Sequence, residues 1–142
     1  KKLKNSNKAK WVCSSAEKLP FKKNTFDYYT ISFGIRNVNN ISQTLKEAYR
    51  VLKPGGRFLC LEFSKIKNGS LNNFYKIYSK SIPRLGKFTM GKSEPYEYLI
   101  NSIENFCSQE KLFELIKKQN FNNVSYRNLT GGIVAIHSGW KV

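Results

Sequence analysis

The strongest constraint on the fold is one passage in which strand, helix, turn and strand follow each other closely. Phe26 to Phe33 is rich in β-favouring residues, and Gly34 breaks the run. Ile41, Leu45, Ala48, Tyr49 and Leu52 then recur at the spacing of one helix face. Asn40 is placed to cap that helix, with Gln43 three residues on to reach back to the cap. Pro54-Gly55-Gly56 ends it, and Arg57 to Phe63 is an almost unbroken apolar run, as in a strand covered on both faces. This order predicts a βαβ crossover and a parallel sheet.

Around that unit, Lys10 to Ser14 reads as a further short strand and Ala16 to Thr25 as a loop. Leu71 to Lys118 is helical in pattern, with breaks at Pro83, Gly86, Gly91 and Pro95, and Ser108 is positioned to cap its last helix. Val124 to Asn128 and Ile133 to Ser138 flank Thr130-Gly131-Gly132 and predict a closing hairpin. A hairpin adds an antiparallel strand to an otherwise parallel sheet. One domain over 1–142 is expected, with a helical insertion at about 70–105.

The charge and the cysteines bear on partners. Lys and Arg number 25 against 9 Asp and Glu, a net charge of +16, which attracts polyanions and anionic membrane surfaces. The lysines are scattered, so biased surface composition is favoured over a dedicated nucleic-acid face. Cys13, Cys60 and Cys107 have no CxxC spacing, and with His137 alone among histidines they make no zinc set. Cys13 and Cys60 sit in strand-like runs and are expected to be buried free thiols, in keeping with a reducing compartment. His137 is expected to be structural, and Asp27 to hold a loop amide. Gly55-Gly56 is not a phosphate cradle, because no helix follows it directly.

The segment Arg50-Val51-Leu52-Lys53-Pro54-Gly55-Gly56-Arg57-Phe58-Leu59-Cys60-Leu61-Glu62-Phe63-Ser64 resembles the signature of the UbiE-type quinone-biosynthesis methyltransferases. An LKPGG turn alone is widespread among methyltransferases; the trailing Leu-Glu-Phe-Ser narrows the match. Ala16 to Phe21, Ile31 to Val38, Tyr96 to Leu99 with Ser102-Ile103, and Asn128 to His137 resemble four more segments of the family, in the same order. The resemblance covers nearly the whole chain, and its wording is closer to the mitochondrial branch than to the bacterial one. It implies an α/β, Rossmann-like class I fold that uses S-adenosylmethionine and no metal. It also implies a preceding strand with a glycine-rich loop and a second strand ending in an acidic residue. The sequence starts just before the third strand, so it is expected to be the later part of a longer protein and inactive alone.

The resemblance assigns roles residue by residue. Ser15 and Ala16 fall beside the adenine, with Ser15 where the family has Asp or Asn; the alternative is a serine that caps a turn. Ser32 and Gly34 reach the methionine part of the cofactor, Gly34 by letting the backbone turn sharply. Arg36 is the catalytic candidate; the alternative is a surface salt bridge. Methylating an aromatic carbon is easier when a neighbouring quinol hydroxyl ionises. A guanidinium is too basic to take that proton, but it stabilises the phenolate or orients a water. Asn37 is expected to position the substrate. Glu62 is either a ligand for a substrate hydroxyl or a strand-end charge paired with a lysine. Tyr96 and Tyr98 line a prenyl-quinol pocket or simply pack. The expected activity is C-methylation of a polyprenyl-benzoquinol, with demethylmenaquinol methylation or a basic, catalytically incomplete docking module as alternatives. The implied setting is the matrix face of the mitochondrial inner membrane, or bacterial-type cytoplasm. A homodimer, other quinone-biosynthesis proteins and a peripheral membrane contact are expected as partners, and nucleic acid is not.

Overall fold

The computed structural model describes residues 9–66 and 94–142. These form a four-stranded mixed sheet: β1 (Phe26–Ser32), β2 (Leu52–Phe63), β3 (Asn122–Leu129) and β4 (Val134–Trp140). The order across the sheet is β1-β2-β4-β3. β1 and β2 are parallel and joined by α1 (Ile41–Val51), the expected crossover. β4 enters antiparallel to both β2 and β3, so the closing hairpin reverses one strand, as its turn residues imply. Before the hairpin come α2 (Glu94–Asn105) and α3 (Gln109–Lys118). The breaks at Pro83, Gly86 and Gly91 lie outside the described residues.

The core lies between one face of the sheet and helices α1 and α3. Leu45 and Ala48 of α1, Leu112 and Ile116 of α3, and Phe58 and Cys60 of β2 are buried together with Ile35 and Phe121. Ile41 and Tyr49 pack at the edge of this cluster, so the helical spacing read from the sequence is the buried face. Ser108 caps α3 by accepting from the Lys111 amide at 3.3 Å.

Several local expectations are corrected. Lys10 to Ser14 makes no strand among the described residues: Trp11 is 85% exposed and Cys13 is exposed. β propensity without a neighbouring strand does not organise a segment. The helix ends at Val51, not at the Pro-Gly-Gly turn. Leu52 already pairs with Phe26, and Lys53 to Gly56 bulge out before Arg57 resumes pairing at Tyr28. Gly55 has φ +78, and a Cβ on Gly56 would stand 2.8 Å from the Lys53 carbonyl oxygen and 3.1 Å from that of Asp27. The two glycines therefore meet two different demands, a left-handed backbone and a close approach. Asn40 accepts from the Gln43 amide at 3.0 Å, but Gln43 does not reach back to the cap. Glu17 does so from outside the helix, accepting from the Asn40 amide at 2.7 Å. Asp27 accepts from Lys53 Nζ at 2.9 Å and holds no loop amide among the described residues.

His137 is structural but only half satisfied. Its Nε2 lies 3.0 Å from the Gln109 carbonyl oxygen, so that nitrogen carries the proton, and its ring stacks on Tyr126. Buried Nδ1 has no hydrogen-bond partner among the described residues. Burial lowers the pKa of His137, because a second ring proton would have nowhere to bond. The neutral form is thus favoured in the fold. The stability it contributes is full above the unfolded imidazole value of about 6.5 and declines as the pH falls below it. Thermal melts between about pH 7 and pH 5 are expected to fall more steeply for the native protein than for His137→Gln, which keeps a donor for Gln109 and cannot titrate. Parallel curves would contradict this.

Candidate active site at the strand ends

The parallel strands β1 and β2 end side by side, and the chain turns away from both at the same rim. In open α/β sheets this is where ligands bind. Beyond β1 the backbone takes a left-handed step at Phe33 (φ +52), not at Gly34. Gly34 has φ −123 and ψ −29, so the sharp turn expected of the glycine falls one residue earlier. A Cβ on Gly34 would meet Ile31 Cγ1 at 3.3 Å. Ile35 then plunges into the core, fully buried, and opens a short 3-10 turn with Arg36 and Asn37.

That anchoring directs Arg36 across to β2. Its Nη1 donates to Glu62 Oε1 at 2.9 Å, with side-chain exposures of 8% and 1%. Nη1 also donates to the Phe33 carbonyl at 2.6 Å, and the Arg36 backbone amide donates to Glu62 Oε2 at 3.3 Å. Nε donates to Ser102 Oγ of α2 at 3.2 Å. The guanidinium carbon sits 5.3 Å from the Phe63 ring centroid. These hydrogen bonds use Nε and Nη1 and leave Nη2 without one among the described residues. The partner of Glu62 is Arg36 and not a lysine, and both its oxygens are engaged by Arg36 and by the Phe63 amide at 2.9 Å. Asn37 is exposed, and its Oδ1 accepts from the Tyr98 hydroxyl of α2 at 3.1 Å. The side chain of Tyr96 lies outside the described residues.

Ser15 and Ala16 stand at the same rim on a loop fixed to α1. Ser15 is exposed, and its Oγ accepts from the Glu17 amide at 3.2 Å, the turn-capping geometry. Glu47 Oε2 accepts from the Leu19 amide at 2.8 Å, and Arg50 donates to the carbonyls of Leu19 (3.0 Å) and Phe21 (2.7 Å). Glu47 and Arg50 bond each other twice, at 2.7 and 2.8 Å. The Arg50 hydrogen bond holds the Glu47 pKa below the usual carboxylate range. Ser32 is exposed at the end of β1. Cys60, two residues before Glu62, is no nucleophile at neutral pH, because burial pushes its pKa up to about 12. Among the described residues no group of three or more His, Cys, Asp or Glu side chains could hold a metal ion.

Ser102, Glu17, Glu47 and Arg50 are the residues that sequence reasoning did not assign. The i,i+3 spacing of Glu47 and Arg50 was visible, but their loop partners lie 28 to 31 positions away.

The model of the ubiE/COQ5 methyltransferase family matches residues 1–141. The ubiquinone/menaquinone biosynthesis C-methyltransferase UbiE of Rickettsia akari is 58% identical over 94% of the chain, which covers 54% of that protein. The mitochondrial 2-methoxy-6-polyprenyl-1,4-benzoquinol methylase of Bos taurus is 56% identical over 93% of the chain, which covers 40% of it. The chain thus spans about half the length of these relatives or less. Among solved structures, a SAM-dependent methyltransferase from Thermotoga maritima, described as a possible histamine N-methyltransferase, superposes with a TM-score of 0.63 at 21% identity. That match covers 91% of this chain and 62% of the other. It establishes the Rossmann-like methyltransferase fold.

Removing one partner of the buried pair leaves the other charged and unpaired. Glu62→Ala is expected to destabilise the protein by about 3 kcal/mol or more, read by denaturant unfolding. A loss below about 1 kcal/mol would mean that the pair behaves as an exposed one.

Proposed function

Since the chain belongs to the ubiE/COQ5 methyltransferase family, we propose that its protein transfers a methyl group from S-adenosylmethionine to a ring carbon of a polyprenyl-benzoquinol. The observation that carries the reading is the Arg36 guanidinium, locked by Glu62, Phe33 and Ser102 at the rim where β1 and β2 end. S-adenosylmethionine, when bound, supplies a methyl group on a sulfonium. The described residues fit one side of such a molecule. Ser15 offers an exposed hydroxyl on a clamped loop, Ala16 a half-buried backbone, and Ser32 and Gly34 a hydroxyl and an open backbone at the end of β1. No metal enters this reading.

Arg36 presents Nη2 to the substrate while its other nitrogens are held. A fixed positive group beside a quinol hydroxyl favours the phenolate, and the phenolate makes the adjacent ring carbon nucleophilic. The hydroxyl proton goes to water, since a guanidinium already carries its full complement; once the methyl is on the ring and its bond to sulfur is broken, the same carbon gives up its own proton to water and the oxygen regains one. Glu62 acts through Arg36, setting its orientation, and takes no direct part in binding substrate. Asn37 and Tyr98, bonded to each other, flank the ring, Tyr98 from α2; the expected cover over about 70–93 and the side chain of Tyr96 lie outside the described residues. Holding the ring carbon and the methyl group at attack distance contributes roughly 7–11 kcal/mol in well-oriented systems.

The name of the Rickettsia relative covers menaquinone as well, which favours demethylmenaquinol as a second substrate. The bacterial and mitochondrial relatives match almost equally, at 58% and 56%, so the setting is bacterial cytoplasm or the mitochondrion. A prenylated substrate places the work at a membrane surface, on the matrix face in a mitochondrion, where a net charge of +16 favours anionic headgroups. Self-association and contact with other quinone-biosynthesis proteins belong to the same reading.

Calorimetry and methyl-transfer assays on the full protein test the proposal. Arg36→Ala is expected to keep its affinity for S-adenosylmethionine and to lose about 10²–10³-fold in kcat. Equal loss of both would move Arg36 to the cofactor site or the fold. A native protein that binds no S-adenosylmethionine would overturn the enzyme reading in favour of a docking module.

A further inference from the structure

The hydrogen bonds that hold the Arg36 guanidinium do not constrain it equally. Glu62 Oε1 and the Phe33 carbonyl both accept from Nη1, at 2.9 and 2.6 Å. Two acceptors on one nitrogen fix a point, and a planar group can still swing about a point. The bond from the Arg36 amide to Glu62 Oε2 holds the backbone and not the head group. The Phe63 ring, 5.3 Å from the guanidinium carbon, offers a surface without a hydrogen-bond direction. The bond from Nε to Ser102 Oγ, at 3.2 Å, supplies the second point. With Nη1 and Nε both held, the rigid fork of the guanidinium leaves Nη2 one direction.

Ser102 is suited to that contact. Its hydroxyl proton is committed to the Leu99 carbonyl, 2.8 Å away in the preceding turn of α2. Oγ therefore meets Nε as an acceptor, the only role that a guanidinium can use in a partner. Tyr98 lies one helical turn before Ser102 on the same face, and its hydroxyl donates to Asn37 Oδ1 at 3.1 Å. So α2 grips the turn after β1 at two successive residues, Arg36 and Asn37. None of the described side chains of α2 belongs to the buried core, and packing against that core does not account for its seat on the turn. Both partners of the Ser102 contact belong to this chain and the contact is half-buried, so it needs no free surface.

We propose that Ser102 is a positioning residue, which fixes the plane of the Arg36 guanidinium and thereby the direction in which Nη2 meets the substrate oxygen. This role rests on the one given to Arg36 above, and Ser102 acts only through Arg36. A cation that is free to swing favours the phenolate less than one aimed at it. Loss of Ser102 therefore matters most where the hydroxyl needs help to ionise. It matters little where the solution is alkaline enough to ionise the hydroxyl unaided.

The test follows kcat of the full protein from about pH 7 to about pH 10, with oxygen excluded so that the quinol survives. Ser102→Ala is expected to lose about tenfold in kcat at the neutral end, with KM and the affinity for S-adenosylmethionine unchanged. It is expected to approach the native rate at the alkaline end. Ser102→Thr keeps a hydroxyl that can bond both the Leu99 carbonyl and Nε, and is expected to stay near the native rate throughout. A loss by the same factor at every pH, or one as large in Ser102→Thr as in Ser102→Ala, makes Ser102 a structural residue and overturns the proposal. An unchanged kcat in Ser102→Ala overturns it as well. Arg36→Ala in the same series separates this role from the one it rests on. If Arg36→Ala slows the reaction and Ser102→Ala does not, only the role of Ser102 falls. If Arg36→Ala keeps the native rate, the role of Arg36 falls and that of Ser102 with it.

Discussion

The site depends on one buried ion pair. Arg36 and Glu62 meet at 2.9 Å with almost no solvent between them and the core. Neither charge tolerates that burial without the other. Their pairing joins the turn after β1 to the end of β2, and Ser102 extends it to α2. Any movement of α2 must therefore register at the guanidinium. The Arg36 cation is held by three separate parts of the chain, the kind of preorganisation that the proposed role at a reacting centre requires.

A second clamp holds the other side of the rim. Glu47 and Arg50 project from α1 and bind the loop at Leu19 and Phe21, while Glu17 of the same loop caps the start of α1. Loop and helix thus stabilise each other through charged groups that the sequence separates widely. Beyond β2, Ser64 donates to the Gly132 carbonyl at 2.6 Å, and buried Gln109 bonds both polar backbone groups of Lys65. The Leu-Glu-Phe-Ser and Asn-Leu-Thr-Gly-Gly segments are therefore neighbours in space. Glu62 fixes Arg36, Phe63 packs against it, and Ser64 ties the strand end to the hairpin.

Much of this was legible in the sequence. The βαβ order, the buried face of α1, the Asn40 and Ser108 caps and the closing hairpin all follow from local periodicity and turn chemistry. The region of Arg36 and Asn37 was marked by resemblance. What stayed hidden depends on long-range geometry. Glu62 looks like a strand-end charge until the turn at Phe33 aims Arg36 at it. The left-handed step falls on Phe33 although Gly34 is the residue suited to it, because Ile35 must reach the core. Lys10 to Ser14 has strand composition but no strand beside it among the described residues.

The central claim is that Glu62 acts on the reaction through Arg36 alone. A double-mutant cycle on kcat in the full protein, with Glu62→Gln, Arg36→Ala and both together, tests it most directly. The account predicts that the double variant is no slower than Arg36→Ala alone, since Glu62 has nothing left to orient. Losses that multiply, each substitution slowing the other variant by its own full factor, would contradict it and return Glu62 to an independent role at the substrate.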